Sequence, residues 1–235
     1  MIGTICYICQ SEVPPLERVL LETKSGPIVG RYKPERKIAE ADVPCNFKVH
    51  QHYVNANALL KSSSLRRTSV ITSEHPVASI VKGMTFVLIE LPSTTRHLEH
   101  LNSHERIDLS TVRLDEGWTE TFIGVYFYCI TSVDEKMTKI RARMLEPAIG
   151  EDPATGSAAS TLGCFLALKG GIAHMTYIYS IEQGVELGRR SHIYVKVLLD
   201  GTGQSVKRVM LSGKAVKVSE GRMVISEGGT DVGAE

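Results

Sequence analysis

Residues 150–160 read Gly-Glu-Asp-Pro-Ala-Thr-Gly-Ser-Ala-Ala-Ser. Two carboxylates, Glu151 and Asp152, precede a proline and a run of small residues, and the chain then turns apolar. A helix that starts in such a run leaves backbone N–H groups unpaired, and its dipole favours negative charge beside them. Small residues, here Thr155, Gly156, Ser157, Ala158 and Ala159, let a ligand approach that backbone closely. Such a start suits a carboxylate or a phosphate. The lysine of a nucleotide-binding P-loop is absent. Asp152 stands at the rim, where a carboxylate partly removed from water can give or take a proton. Ser157 adds a hydroxyl for a polar group. The same residues also fit a plain helix cap, with Asp152 ahead of Pro153 and Pro153 at the first helical position.

The elements that would position this stretch follow from pattern. Apolar residues Ala159, Leu162, Phe165, Leu166 and Leu168 recur at helical spacing over 156–169, and Gly170-Gly171 is a fitting stop. Ile2–Cys9 reads as the body of a buried helix that lacks its start. Leu20–Lys24 and Ile28–Tyr32 read as two strands about a Gly26-Pro27 turn. Residues 33–65 carry little pattern. Thr85–Leu91, Val125–Ile130 and Lys139–Leu145 read as strands, and Ser93–Asn102 as a helix capped by Ser93 or Thr94. Strands follow at Met175–Ile181, His192–Leu199, Val206–Leu211, Ala215–Val218 and Met223–Ile225, and residues 227–235 read as a loose tail. Strands grouped about a helix, without regular alternation, indicate an α+β fold.

The totals exclude several classes. A chain of 235 residues with 27 basic and 26 acidic side chains has a net charge of +1, so it lacks the basic excess of a nucleic-acid binder. Leu65-Arg66-Arg67 is too short a cluster to hold a nucleic-acid backbone. Five cysteines, an odd number, do not read as a secreted disulfide framework. No apolar run approaches the ~18 residues of a membrane span, and no secretory signal is present, so a cytoplasmic location is the expectation. Cys6 and Cys9 form a C-x-x-C, but inside an apolar helix pattern, where packing explains them better than redox or metal chemistry. His97, His100 and His104 fall at helical spacing beside Glu99 and Glu105 and could present one metal-binding face. A solvated helix face explains them as well, and no metal is assigned. Cys164 reads as a small core residue.

The stretch Glu146–Ala167, "EPAIGEDPATGSAASTLGCFLA", resembles the signature of the PhzF-like family, the phenazine-biosynthesis isomerase group. "KGMTFVLIELPS", "IEQGVELGRRSHIYV" and "LSGKAVKVSEGRMVI" resemble further segments of that family in the same order. The likeness covers residues 76–226 well and reaches back more weakly through "LETKSGPIVGRY" to "IGTICYIC". The resemblance implies a diaminopimelate-epimerase-like fold: two pseudo-symmetric halves, each with a mixed sheet around a central helix, and a site in the cleft between them. It divides the chain into an incomplete first half (1–75), a second half (76–226) and the tail. It implies a cofactor-independent isomerase that moves a proton within a small, aromatic or cyclic, acid. The founding activity isomerises a dihydro-hydroxyanthranilate. Asp152 would assist the proton transfer or orient the substrate. Thr155, Gly156 and Ser157 would hold its polar groups. A homodimer is also implied.

The resemblance further implies a Gly-His pair and a general-base Glu in the first half, and both would lie upstream of Met1. Neither Glu17 nor Glu22 has the family context. The expectation is therefore an N-terminally truncated form whose catalysis is impaired by loss of that base. The alternative is a non-catalytic module of the same fold that binds small acids or associates with other chains. Arg190 stands where the family carries a proline, which bears on one turn and not on the fold.

Overall fold

The computed structural model describes residues 1–24, 26–60, 74–92, 95–103, 106–119 and 121–221. In chain order these form α1 (Ile2–Ser11), β1 (Arg18–Thr23), β2 (Gly26–Lys33), β3 (Ile38–Asp42), β4 (Lys48–Val49), β5 (Val54–Asn55), α2 (Ala56–Leu59) and β6 (Glu74–His75). Next come β7 (Val77–Val81), β8 (Met84–Glu90), α3 (Arg96–Glu99), a 3-10 turn (Leu109–Thr111), β9 (Ile123–Val133), β10 (Thr138–Glu146) and β11 (Gly150–Asp152). The chain continues with α4 (Gly156–Gly170), β12 (Thr176–Gln183), β13 (Ser191–Leu199) and β14 (Val206–Gly213).

A 12-stranded sheet runs β1-β2-β3-β14-β13-β12-β10-β9-β8-β7-β4, with β11 added to β10. It is mixed: β8–β9 and β10–β12 are parallel, and the other pairs are antiparallel. This is the α+β architecture expected. The sheet curls about α4, which touches β7 and β8 on one flank and β12, β13 and β14 on the other. A helix enclosed in this way must be apolar nearly all round. Eight residues of α4 are buried, among them Ala158, Leu162 and Cys164. Gly163 lets the sheet come close, since a Cβ there would stand 2.9 Å from Val195 Cγ1. Gly171, at φ 63°, ends the helix in the left-handed conformation that glycine tolerates.

The opposite face of β7–β10 is also covered. Val77, Val87, Ile89, Val125, Phe127, Cys129 and Leu145 pack there with Leu59, Leu60, Leu98, Leu101 and Val112. Burial on both faces explains why β8 and β9 read as unbroken apolar runs. β13 instead alternates buried and half-buried residues, with one face on α4. A third, smaller cluster joins Ile5, Cys6 and Cys9 of α1 to Ile28, Tyr32, Ala39 and Ala41 of β2 and β3. Both cysteines of the C-x-x-C are thus packing residues of α1, and burial raises the Cys9 thiol above its ordinary range.

Three sequence expectations change. Within 33–65, β3 is a full strand that joins β2 to β14. Its small residues Ala39 and Ala41 are buried beneath α1, and its acids pair across the sheet, Glu40 with Lys196 at 2.8 Å and Asp42 with Arg208 at 2.6 Å. The helix over Ser93–Asn102 is one turn, Arg96–Glu99, with Thr95 at its N-cap, and Ser93 and Thr94 lie outside the described residues. Ala215–Val218 forms no strand, because the chain leaves the sheet after Gly213; Val216 and Val218 are exposed. The strand expected at Met223–Ile225, the tail, the Leu65-Arg66-Arg67 cluster, His104 and Glu105 lie outside the described residues.

Candidate active site

The two carboxylates separate because they sit on a strand. β11 pairs with β10 in the register Met144↔Asp152 and Leu145↔Glu151, so neighbouring side chains leave opposite faces. Glu151 meets Arg143 in a bidentate pair, Nε to Oε1 at 2.7 Å and Nη2 to Oε2 at 2.5 Å. The Arg143 Nη1 donates to the carbonyls of Leu98 and Leu101, both at 2.6 Å. With side-chain exposures of 3% and 2%, this pair is buried and structural. It ties the β10–β11 hairpin to α3 and the residues just after it.

Asp152 faces the α4 side. Its Oδ1 accepts from the Ala154 N–H at 3.2 Å, and its Oδ2 accepts from the Thr155 hydroxyl at 2.7 Å. The Thr155 oxygen accepts from Gln183 Nε2 at 2.8 Å, and the same amide nitrogen donates to the Asp152 carbonyl at 2.7 Å. Gln183 Oε1 accepts from the Tyr126 hydroxyl at 3.0 Å. Donation therefore runs one way, from Tyr126 through Gln183 and Thr155 to the carboxylate. Gln183 and Tyr126 are fully buried. Burial first, and the nearby Asp152 charge second, push the Tyr126 phenol far above its ordinary range, so it remains an O–H donor. Sequence reasoning missed both residues. A glutamine that falls in the alternation on the same face as Tyr179 and Ile181, followed by Gly184, is the one signal in the sequence, and it does not name the partners.

The simple cap reading is corrected. α4 begins at Gly156, so Pro153 lies outside it, and the N-cap is Thr155, whose side chain makes no capping bond. The Thr155 hydroxyl is spent on Asp152, and the Asp152 side chain closes its own local turn. The first-turn N–H groups of α4 are left without a side-chain cap. Gly156 and Ser157 are half-buried there, and Gly156 lies against β14, where a Cβ would stand 2.6 Å from Leu211 Cδ2. Two residues further along β14, a Cβ on Gly213 would stand 4.0 Å from Ile2 Cγ2, in the first turn of α1. The starts of α1 and α4 thus meet the same end of β14, and neither has a side-chain cap.

A second constellation has the residue types of a nucleophilic triad. His50 Nε2 lies 2.9 Å from Ser79 Oγ, and His50 Nδ1 lies 3.7 Å from Asp115 Oδ1. The chemistry fails on proton placement. The Asp115 backbone N–H points at Nδ1 from 3.1 Å, so Nδ1 is the acceptor and Nε2 carries the proton. A ring that donates to Ser79 cannot also take its proton. Ser79 is wholly buried and shares a 2.6 Å bond with Thr85. This group is a core network.

Among the described residues, no three His, Cys, Asp or Glu side chains cluster as metal ligands. His97 is half-buried, and the exposed His100 places Nδ1 2.7 Å from the Arg96 carbonyl. Among the described residues, no helix is long and apolar enough to cross a membrane. A concavity of about 340 Å³ lined by Glu17, Tyr32 and residues 33–36 shares no residue with the Asp152 network.

The profile of the phenazine biosynthesis-like proteins, PhzC-PhzF, matches residues 1–221. The trans-2,3-dihydro-3-hydroxyanthranilate isomerase of Pseudomonas aeruginosa is 28% identical over 209 residues, covering 88% of this chain and 67% of that protein. The isomerase of the same name from Pseudomonas chlororaphis is 30% identical over 163 residues, covering 68% of this chain and 52% of that protein. The chain thus spans between half and two thirds of these relatives. Among solved structures, a PhzF-family phenazine biosynthesis protein from Bacillus anthracis superposes with a TM-score of 0.65 at 19% identity, over 95% of this chain and 74% of that one. A predicted epimerase from Pseudomonas aeruginosa gives 0.55 at 18% identity, over 89% and 67%. These two structural likenesses establish the fold alone.

Proposed function

The chain belongs to the phenazine biosynthesis-like protein family, and from that membership we propose that it works as a cofactor-independent isomerase, moving a proton within a small cyclic or aromatic acid. The observation that carries the reading is the held carboxylate of Asp152 directly before the uncapped start of α4. The substrate's own carboxylate docks on the first-turn N–H groups, where charge and hydrogen-bond direction both favour it. Gly156 and Ser157 contribute backbone N–H groups and the Ser157 hydroxyl, and Thr155 acts through the hydroxyl that it donates to Asp152. Asp152 gives or takes the migrating proton, and the Thr155–Gln183–Tyr126 chain fixes its orientation. A general acid–base group of this kind contributes ~10²–10⁴-fold in rate. The chemical class of the substrate comes from the relatives, which are named for a dihydro-hydroxyanthranilate. A homodimer, a cytoplasmic location and the division into halves at residue 75 belong to the same reading.

One observation favours the second reading, a non-catalytic small-acid binder. Among the described residues, the Asp152 network contains one carboxylate and no second general base. The discriminating experiment uses dihydro-hydroxyanthranilate in deuterated water with the full chain and with Asp152→Asn. Isomerisation with solvent deuterium entering the product supports the isomerase. Asp152→Asn is then expected to lose ~10²–10⁴-fold in turnover while its affinity is kept, because the docking N–H groups remain. Saturable binding with no deuterium exchange supports the binder instead.

A further inference from the structure

Two cysteines separated by about half of the chain meet where the link between β3 and β4 reaches α4. Residues 43–47 run as a strap from β3 to β4, and so connect the β14 flank of the curled sheet to the β7 flank. The strap is pinned at both ends, by Val43 N–H to the Val209 carbonyl at 3.0 Å and by Asn46 N–H to the Ile80 carbonyl at 2.8 Å. Val43 and Phe47, two residues to either side of Cys45, pack against the cluster that contains Cys164. Cys45 lies in an exposed segment, Cys164 is buried in α4, and the two thiols share a hydrogen bond.

We propose that Cys45 and Cys164 are a reversible thiol pair that a hydroperoxide converts into a disulfide between the strap and α4. The roles divide by environment. The Cys164 S–H stabilises a thiolate on Cys45 and brings its pKa down to about 7, whereas the same contact and burial hold the Cys164 thiol up. Thiolate character and access select the attacking cysteine. The Cys45 thiolate attacks the peroxide: an S–O bond forms, the O–O bond breaks, and the released alkoxide or hydroxide is protonated to alcohol or water. The sulfur is oxidised by two electrons and the peroxide is reduced. Cys164 then attacks the sulfenic sulfur; the S–S bond forms, the S–O bond breaks, and the departing hydroxide takes the Cys164 proton as water. Cys6 and Cys9 provide an internal contrast, because both are buried and the Cys9 thiol is raised.

The test treats the reduced full chain with hydrogen peroxide, followed by intact mass and a non-reducing peptide map. The expected product has lost two hydrogens, yields a linked peptide pair containing residues 45 and 164, and is restored by a thiol reductant. Cys45→Ser, in an exposed segment, is expected to abolish the link. Cys164→Ala is expected to accumulate a dimedone-reactive sulfenic acid at Cys45. Oxygen addition at Cys45 in the unmodified chain with no link to 164 would overturn the proposal. So would a disulfide between Cys6 and Cys9 as the main product, or a link that survives Cys45→Ser.

Discussion

Glu151 and Asp152 are neighbours of the same chemistry, and the pleat of one short strand gives them different work. Glu151 satisfies a guanidinium that is otherwise surrounded by protein, with two carbonyls taking both N–H groups of the Arg143 Nη1. Removing one partner of a buried pair leaves the other charge uncompensated, which costs ~3–5 kcal/mol. Glu151→Gln is therefore expected to lower the unfolding free energy by about that amount in urea titration. A loss under ~1 kcal/mol would place the pair among exposed ion pairs of small worth. Asp152 shows the opposite design. Its partners are neutral donors, a threonine hydroxyl and a backbone N–H, which orient the carboxylate without neutralising it. That contrast separates a structural acid from the one proposed to do chemistry, and it could not be seen in "GED" as text.

At the scale of elements, α4 decides the architecture. Gly163 sits where the helix meets β13, and its missing side chain sets how near the sheet can come. Gly163→Ala would improve helix propensity by ~1 kcal/mol in isolation, but the new methyl lies 2.9 Å from Val195 and 3.3 Å from Tyr179. Overpacking of this kind costs ~1–3 kcal/mol, so a net loss of stability is expected, and recovery in the double variant with Val195→Ala would confirm the cause. This helix was legible in sequence, in both its apolar spacing and its Gly-Gly stop, because its local preferences agree with its burial. β8 and β9 were legible as apolar runs. β3 was not. Ile38-Ala-Glu-Ala-Asp42 has weak strand preference, and it becomes a strand between β2 and the distant β14, with its acids paired to Lys196 and Arg208 more than 150 residues away. The expected strand at Ala215–Val218 failed for the converse reason: its alternation is local, and no neighbouring strand takes it up. At the site, the acid and the helix start could be read directly. Gln183 and Tyr126 could not, since their role depends on the parallel register of β10 with β12 and the antiparallel register of β9 with β10.

For the whole molecule, the sheet's far edge is locked by a buried histidine. His50 follows β4, bonds Ser79 of β7, and receives the backbone N–H of Asp115, while Trp118 stands edge-on at 5.3 Å. One ring thus joins the edge strand, its neighbour and the loop before β9. Burial lowers its pKa; Asp115 pulls the other way, and Lys48 adds to the lowering. The folded state therefore binds a proton on His50 less readily than the unfolded chain does. Stability from this site is fully present above the unfolded value of about 6.5, and it is lost as pH falls below that value toward the depressed folded pKa. Asp42, Asp115, Asp134 and Asp200 also have lowered pKa values, so their stabilisation is lost on acidification only below about 4, the ordinary aspartate range. The two windows are distinct. Urea titrations at a series of pH values are expected to show stability declining between about pH 6.5 and 5, and the decline should flatten in His50→Gln, which keeps a donor for Ser79 and cannot titrate. An equal slope in both proteins across that window would show that the charge on His50 does not govern the edge.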